Sequence, residues 1–158
     1  MKHARYSALA LLLLVACHGS PTEPGGTLPF TTIAKEQYTG LSAARQEVIS
    51  TQERWNAVWA EIVSTRTPKE AVPAVNFMTS QVLLVARGQT PDSCRTIEIE
   101  RVEQQNDTYR VSVQDARKPM SCSCPGVVVQ PIHAVVVARV ATEMTTQFRS
   151  VTIGSACN

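Results

Sequence analysis

Val82-Leu83-Leu84-Val85-Ala86, followed two residues later by Gly88, is an unbroken apolar run short enough to be a strand. It has no polar face, so it predicts a strand buried on both sides and therefore central in a sheet. Ile132 to Val140 (IHAVVVARV) has the same character, with β-branched residues dominating both alternating faces, and reads as a second central strand.

Working outward, Ser50-Thr51-Gln52-Glu53 offers a hydroxyl at a helix N-cap and a carboxylate three residues on, the pattern of a capping box starting at Ser50. Trp55, Val58, Trp59 and Ile62 follow at i, i+3, i+4 and i+7 and, with Val63, form one apolar stripe. Glu53, Asn56 and Glu61 fall outside it. Because the two tryptophans lie within the stripe, they read as core and not as a ligand platform. Thr31 to Tyr38 reads as a first short strand, Thr39-Gly40-Leu41-Ser42 as a turn, and Thr65 to Asn76, which contains Pro68 and Pro73, as a connection.

Thr96 to Val102 and Tyr109 to Gln114 alternate like half-buried strands around the polar Gln104-Gln105-Asn106-Asp107, the pattern of a hairpin. Ile97, Ile99, Tyr109, Val111 and Val113 would face the core, leaving Glu98 and Glu100 outside, opposite Arg110. Asn106-Asp107-Thr108 matches a glycosylation sequon but reads here as a turn. A last strand is expected at about Gln147 to Ile153. The expected fold is α+β, with one principal helix packed on a mostly antiparallel sheet of about five or six strands.

The N-terminus carries a basic start (Lys2, His3, Arg5), an apolar run from Ala8 to Val15 and the small Ala16, the three parts of a signal peptide. The run falls well short of the roughly 20 residues that span a bilayer. Leu14-Val15-Ala16-Cys17 resembles the bacterial lipobox, which implies cleavage after residue 16, acyl chains on Cys17 and attachment to a lipid bilayer. His18 to Pro29 (HGSPTEPGGTLP) has little to bury. The expected organisation is a signal peptide over 1–16, lipidated Cys17 with a flexible tether over 17–29, and a single domain over 30–158.

Without Lys2 and Arg5, 13 of the 15 basic residues remain, equal to the 13 acidic ones. The mature chain is neutral and has no Lys/Arg cluster in its body, which argues against nucleic-acid binding or a polybasic membrane patch. Lipid is then the expected anchor, since each buried methylene contributes about 0.8 kcal/mol and two chains hold stably.

The order of signals resembles the PrcB C-terminal domain family, from a subunit of a bacterial surface-protease complex. The resemblance rests on Tyr38-Thr39-Gly40-Leu41, Arg45-Gln46-Glu47-Val48-Ile49 leading into the Trp55/Trp59 helix, Asn76-Phe77 before the Val82 to Gly88 run, Thr96 to Val102, and Gln130-Pro131-Ile132-His133. It departs from that pattern after Gly88, where Pro91-Asp92-Ser93-Cys94-Arg95 replaces a Gly-rich turn and an aromatic residue. The resemblance implies a non-catalytic envelope protein that associates with, and stabilises, another protein.

Apart from Cys17, the chain holds Cys94, Cys122, Cys124 and Cys157, an even number in an exported, oxidising setting. A Cys122–Cys124 bridge would close a very tight ring, so each is expected to pair outward, one with Cys94 and the other with Cys157. Spacing does not choose between the two arrangements. Cys-x-Cys with two distant cysteines does not match common zinc spacings, and neither metal nor other cofactor is expected.

His133 is the single histidine of the folded part and shares a strand face with Val135 and Val137, where a satisfied core or edge histidine is the ordinary outcome. There is no Gly-x-Ser-x-Gly, phosphate loop or His-Glu-x-x-His. The expected function is a non-catalytic accessory or binding module in the bacterial envelope, with His18 after the anchor favouring the outer membrane. The alternative is an exported enzyme or thiol-metal protein using Cys94, Cys122, Cys124, Cys157 and His133.

Overall fold

The computed structural model describes residues 26–119, 121–139 and 145–157. In chain order the elements are β1 (Gly26–Thr27), β2 (Phe30–Glu36), β3 (Arg45–Ile49), α1 (Gln52–Ile62), β4 (Ser80–Ala86), β5 (Arg95–Gln105), β6 (Thr108–Arg117), β7 (Ile132–Ala138) and β8 (Thr145–Gly154). They form two four-stranded sheets, an inner one in the order β2-β7-β4-β3 and an outer one in the order β1-β5-β6-β8.

The expected central strands are central. β4 lies between β3 and β7, antiparallel to both, and Val82, Leu83, Leu84 and Val85 are fully buried. Alternation along β4 sends Val82, Leu84 and Ala86 to the core beneath α1 and Leu83 and Val85 to the core beneath the outer sheet. β7 divides in the same way, with Ile132 and Ala134 toward the helix and Val135 and Val137 toward the outer sheet. Each such Val, Leu or Ile side chain contributes about 1.5–3 kcal/mol on leaving water, which makes the inner sheet the layer shared by both cores.

The fold is α+β, but with 9% helix against 48% strand it is mostly sheet with one short helix. The expected single sheet of five or six strands is instead two sheets. The hairpin of β5 and β6 does not extend the inner sheet; it covers it, bringing Ile97, Ile99, Val102, Tyr109, Val111 and Val113 against Leu83, Val85, Val135 and Val137. β8 pairs with β6 in parallel, because β7 in the other sheet intervenes and the chain returns in the direction of β6.

β3 lies in a segment with no apolar alternation to announce it. Of its residues facing the helix only Ile49 is apolar and buried; Arg45 pairs with Glu61, and Glu47 with Arg54, so ion pairs stand where further apolar contacts would have given a period. The expected tether is shorter than predicted at its far end. Gly26–Thr27 pairs with β5, the Leu28 amide donates to the Val102 carbonyl at 2.8 Å, and Leu28 packs on the second core.

In α1 the stripe is as expected, with Trp55, Val58, Trp59 and Ile62 buried. The N-cap is Thr51, not Ser50: its hydroxyl accepts the Arg54 amide at 3.2 Å, so Glu53 sits one position too early to close a capping box. The two indoles lie 5.4 Å apart and donate to the carbonyls of Pro73 and Glu70, which straps the 65–76 connection onto the helix. Gly40 also lies against α1. Its amide donates to the Ile62 carbonyl, and a Cβ there would collide with Ser64 and the Glu61 carbonyl, so the turn needs glycine for close approach.

Candidate functional site

The predicted hairpin turn forms at Asn106-Asp107, with Asn106 at φ 52°, a left-handed conformation that Asn tolerates. Further along β5, the register shifts between Ile99 and Arg101. Beyond the shift, Glu98 faces Gln114 and pairs with Lys35 of β2 at 2.7 Å; on the turn side of it, the register set by Asn106-Asp107 puts Glu103, not Glu98 or Glu100, opposite Arg110.

His133 sits at this irregularity, between the sheets and 1% exposed. β1 covers only the Glu103–Gln104 end of β5, and the Ile99 amide donates instead to His133 Nδ1 at 2.9 Å. Accepting that bond leaves the ring proton on Nε2, which lies 2.9 Å from the Thr32 hydroxyl. Both ring nitrogens are therefore engaged, and the imidazole is neutral. Its pKa is lowered mainly by burial, with Lys35 adding to the shift and Glu98 opposing it.

This has a pH consequence with a definite sign. The unfolded chain gains a proton on His133 as pH falls through about 6.5 and the native chain only at lower pH, so stability present above that range is lost as pH falls through it. Urea unfolding at pH 7.5 and pH 5.5 should show a larger acid loss for the native sequence than for His133→Gln. Equal losses would contradict the assignment. The remaining histidines, His3 and His18, precede the described domain and cancel in the comparison.

The four cysteines form two disulfides, Cys94–Cys124 and Cys122–Cys157, with Cα–Cα separations of 5.4 and 5.5 Å. Of the two arrangements left open by spacing, this is the one adopted. Cys94 immediately precedes β5, Cys122 and Cys124 follow β6, and Cys157 follows β8. The register pairs Arg95 with Arg117 and Arg117 with Gly154, so all three strands end together here. The bridges thus staple one end of the outer sheet to the connection that leads into β7.

Backbone bonds bring the partners into range. The Lys118 amide donates to the Cys94 carbonyl at 3.0 Å and the Ser155 amide to the Arg117 carbonyl at 3.0 Å. Thr90 and Val129 exchange backbone bonds, and the Ser93 amide donates to the Pro125 carbonyl, so residues 90–93 and 125–129 run side by side. Asp92 Oδ1 accepts the Cys94 amide at 3.0 Å. The stapled end encloses a cavity of about 210 Å³ lined by Asp92, Cys94, Arg117, Lys118, Cys122 and Cys124.

His133 is not part of this cavity's lining. Among the described residues no three His, Cys, Asp or Glu side chains come together in a way that could hold a metal ion. Sequence reading did not anticipate the Arg87–Asp115 pair at 3.0 Å between the sheets, or the buried Thr39, whose hydroxyl donates to the Gln130 carbonyl at 2.9 Å. Neither residue type announces a long-range partner. The Leu14 to Cys17 motif and the tether up to residue 25 lie outside the described residues. No family model, curated protein or solved structure matches this chain.

Proposed function

We propose that this chain is a lipid-anchored, non-catalytic accessory module of the bacterial envelope. It is held on the outer membrane by acyl chains on Cys17 and associates with, and stabilises, another envelope protein. The observation that carries the reading is the use made of the reactive side chains. The cysteines of the folded part are paired, and both nitrogens of its single histidine are occupied by Ile99 and Thr32. Nucleophilic catalysis needs a base free to approach a nucleophile, and a thiolate metal site needs thiols that are not oxidised. The lipobox at Leu14 to Cys17 and the resemblance to the PrcB C-terminal domain family supply the compartment and the kind of partner.

Affinity capture of the anchored, full-length chain from crosslinked envelopes should enrich one protein reproducibly over a control carrying an unrelated lipoprotein domain. Recovery of no consistent partner across replicate preparations would remove the accessory reading.

A further inference from the structure

The stapled end of the outer sheet brings two arginines together with no carboxylate of the described residues in ion-pair contact with either. Arg95 on β5 stands directly opposite Arg117 on β6, and Lys118 follows at once. Like charges opposite one another on paired strands destabilise the pair. Among the described residues no carboxylate is in ion-pair contact with Arg95 or Arg117. The two nearby acids have other duties: Asp92 accepts the Cys94 amide, and Asp115 pairs with Arg87. A chain whose predicted mature form is neutral thus concentrates positive charge at one end of one sheet.

The surface there is shaped as well as charged. Arg117 and Lys118 lie between the 210 Å³ cavity floored by the disulfides and a second hollow of about 330 Å³ lined by Arg117, Lys118, Pro119, Thr152, Ile153 and Gly154. Val127 and Val128, 44% and 48% exposed, lie on the neighbouring 125–129 arm. A cationic ridge between hollows, at the same end of the molecule as an arm with exposed valines, fits an extended segment carrying carboxylates flanked by apolar residues.

The position favours a protein over a lipid surface. Gly26 joins the outer sheet opposite Gln104, at the hairpin end, whereas Arg95 and Arg117 mark the other end of the same strands. The eleven residues of β5 separate the two ends by about 34 Å. If the chain is anchored at its N-terminus, the cationic end is the end of the outer sheet farther from the point of attachment.

From this juxtaposition we infer that the disulfide-stapled end of the outer sheet, centred on Arg95 and Arg117, is a docking site for an acidic, extended segment of a protein partner. The inference rests on the accessory-module reading and adds the surface and the chemistry of what it takes.

The test uses the oxidised full-length chain in detergent micelles and fluorescein-labelled ten-residue peptides of alternating Glu and Val, with Lys/Val and Ser/Val peptides as controls. Anisotropy should show saturable binding of the Glu/Val peptide alone, weakening as salt rises. Affinity should fall at least tenfold in Arg95→Gln/Arg117→Gln and be unchanged in Arg149→Gln, which removes a charge from β8 away from the cap. Melting curves establish that each variant is folded, and the double charge removal should not lower stability because it relieves repulsion. Equal binding by the cap and β8 variants would overturn the proposal. So would binding of anionic phosphatidylglycerol vesicles, but not peptide, that depends on Arg95 and Arg117. Either result alongside reproducible capture of one envelope partner would remove this surface and leave the accessory reading in place.

Discussion

Replacing Cys94 and Cys124 together with serine should lower the melting temperature by about 10–15 °C under oxidising conditions and leave little difference from the native sequence in strong reductant. The Cys94–Cys124 bridge closes a loop with a sequence separation of 30, and the Cys122–Cys157 bridge one with a separation of 35. Loop-closure entropy assigns about 3.7 kcal/mol to each. Against a typical total stability of 5–15 kcal/mol, one bridge is a large share and both together approach the whole. At this chain length each kcal/mol moves the midpoint by roughly 3–4 °C. The single Cys94→Ser change should release one thiol, on Cys124, which alkylation followed by peptide mass analysis identifies. Release of Cys122 instead would mean that the other pairing is present. An equal loss of stability in reductant would show that the serines, and not the missing bridge, do the damage.

The second large effect is expected at Cys17. On the proposed reading, Cys17→Ser removes the thiol that is acylated, and with it the acyl chains that hold a neutral domain on a membrane. Growth with radiolabelled palmitate should label the native protein and not the variant, and the processed, membrane-bound form should disappear from carbonate-washed membranes. Two acyl chains hold stably where one binds only marginally, so this change should be nearly all-or-none. A variant that stays labelled and sediments as before would eliminate the lipid anchor.

The fold was legible where apolar periodicity matched the layer that buries it. The stripe from Trp55 to Ile62 and the runs in β4 and β7 could be placed because their neighbours are apolar on every buried face. The split into two sheets was not legible, since alternation along β5 and β6 says which face is buried and not which sheet lies beneath it. β3 escaped because ion pairs from Arg45 and Glu47 to α1 replace an apolar period. The bulge between Ile99 and Arg101 escaped too, as did the two-residue turn that sets Glu103 opposite Arg110.

The candidate site divided in a similar way. That Cys122 and Cys124 should pair outward was readable from their closeness in sequence, whereas the choice of partner depends on how β5, β6 and β8 end together. His133 could be read as a satisfied histidine from its apolar strand face. Its acceptor role toward Ile99 could not, because that amide is left without a strand partner by the short reach of β1. The Arg95–Arg117 juxtaposition is likewise a property of register and invisible in sequence, where the two residues lie on separate strands of a hairpin.

The central claim is that the reactive side chains of the folded part are committed to structure. Non-reducing peptide mapping of the mature protein, with thiol counting and metal analysis on the same sample, tests it most directly. The account predicts the peptide pairs Cys94–Cys124 and Cys122–Cys157, no free thiol in the folded part and no stoichiometric metal. Free thiols at these positions together with bound metal would contradict it and return the exported thiol-metal protein as the better reading.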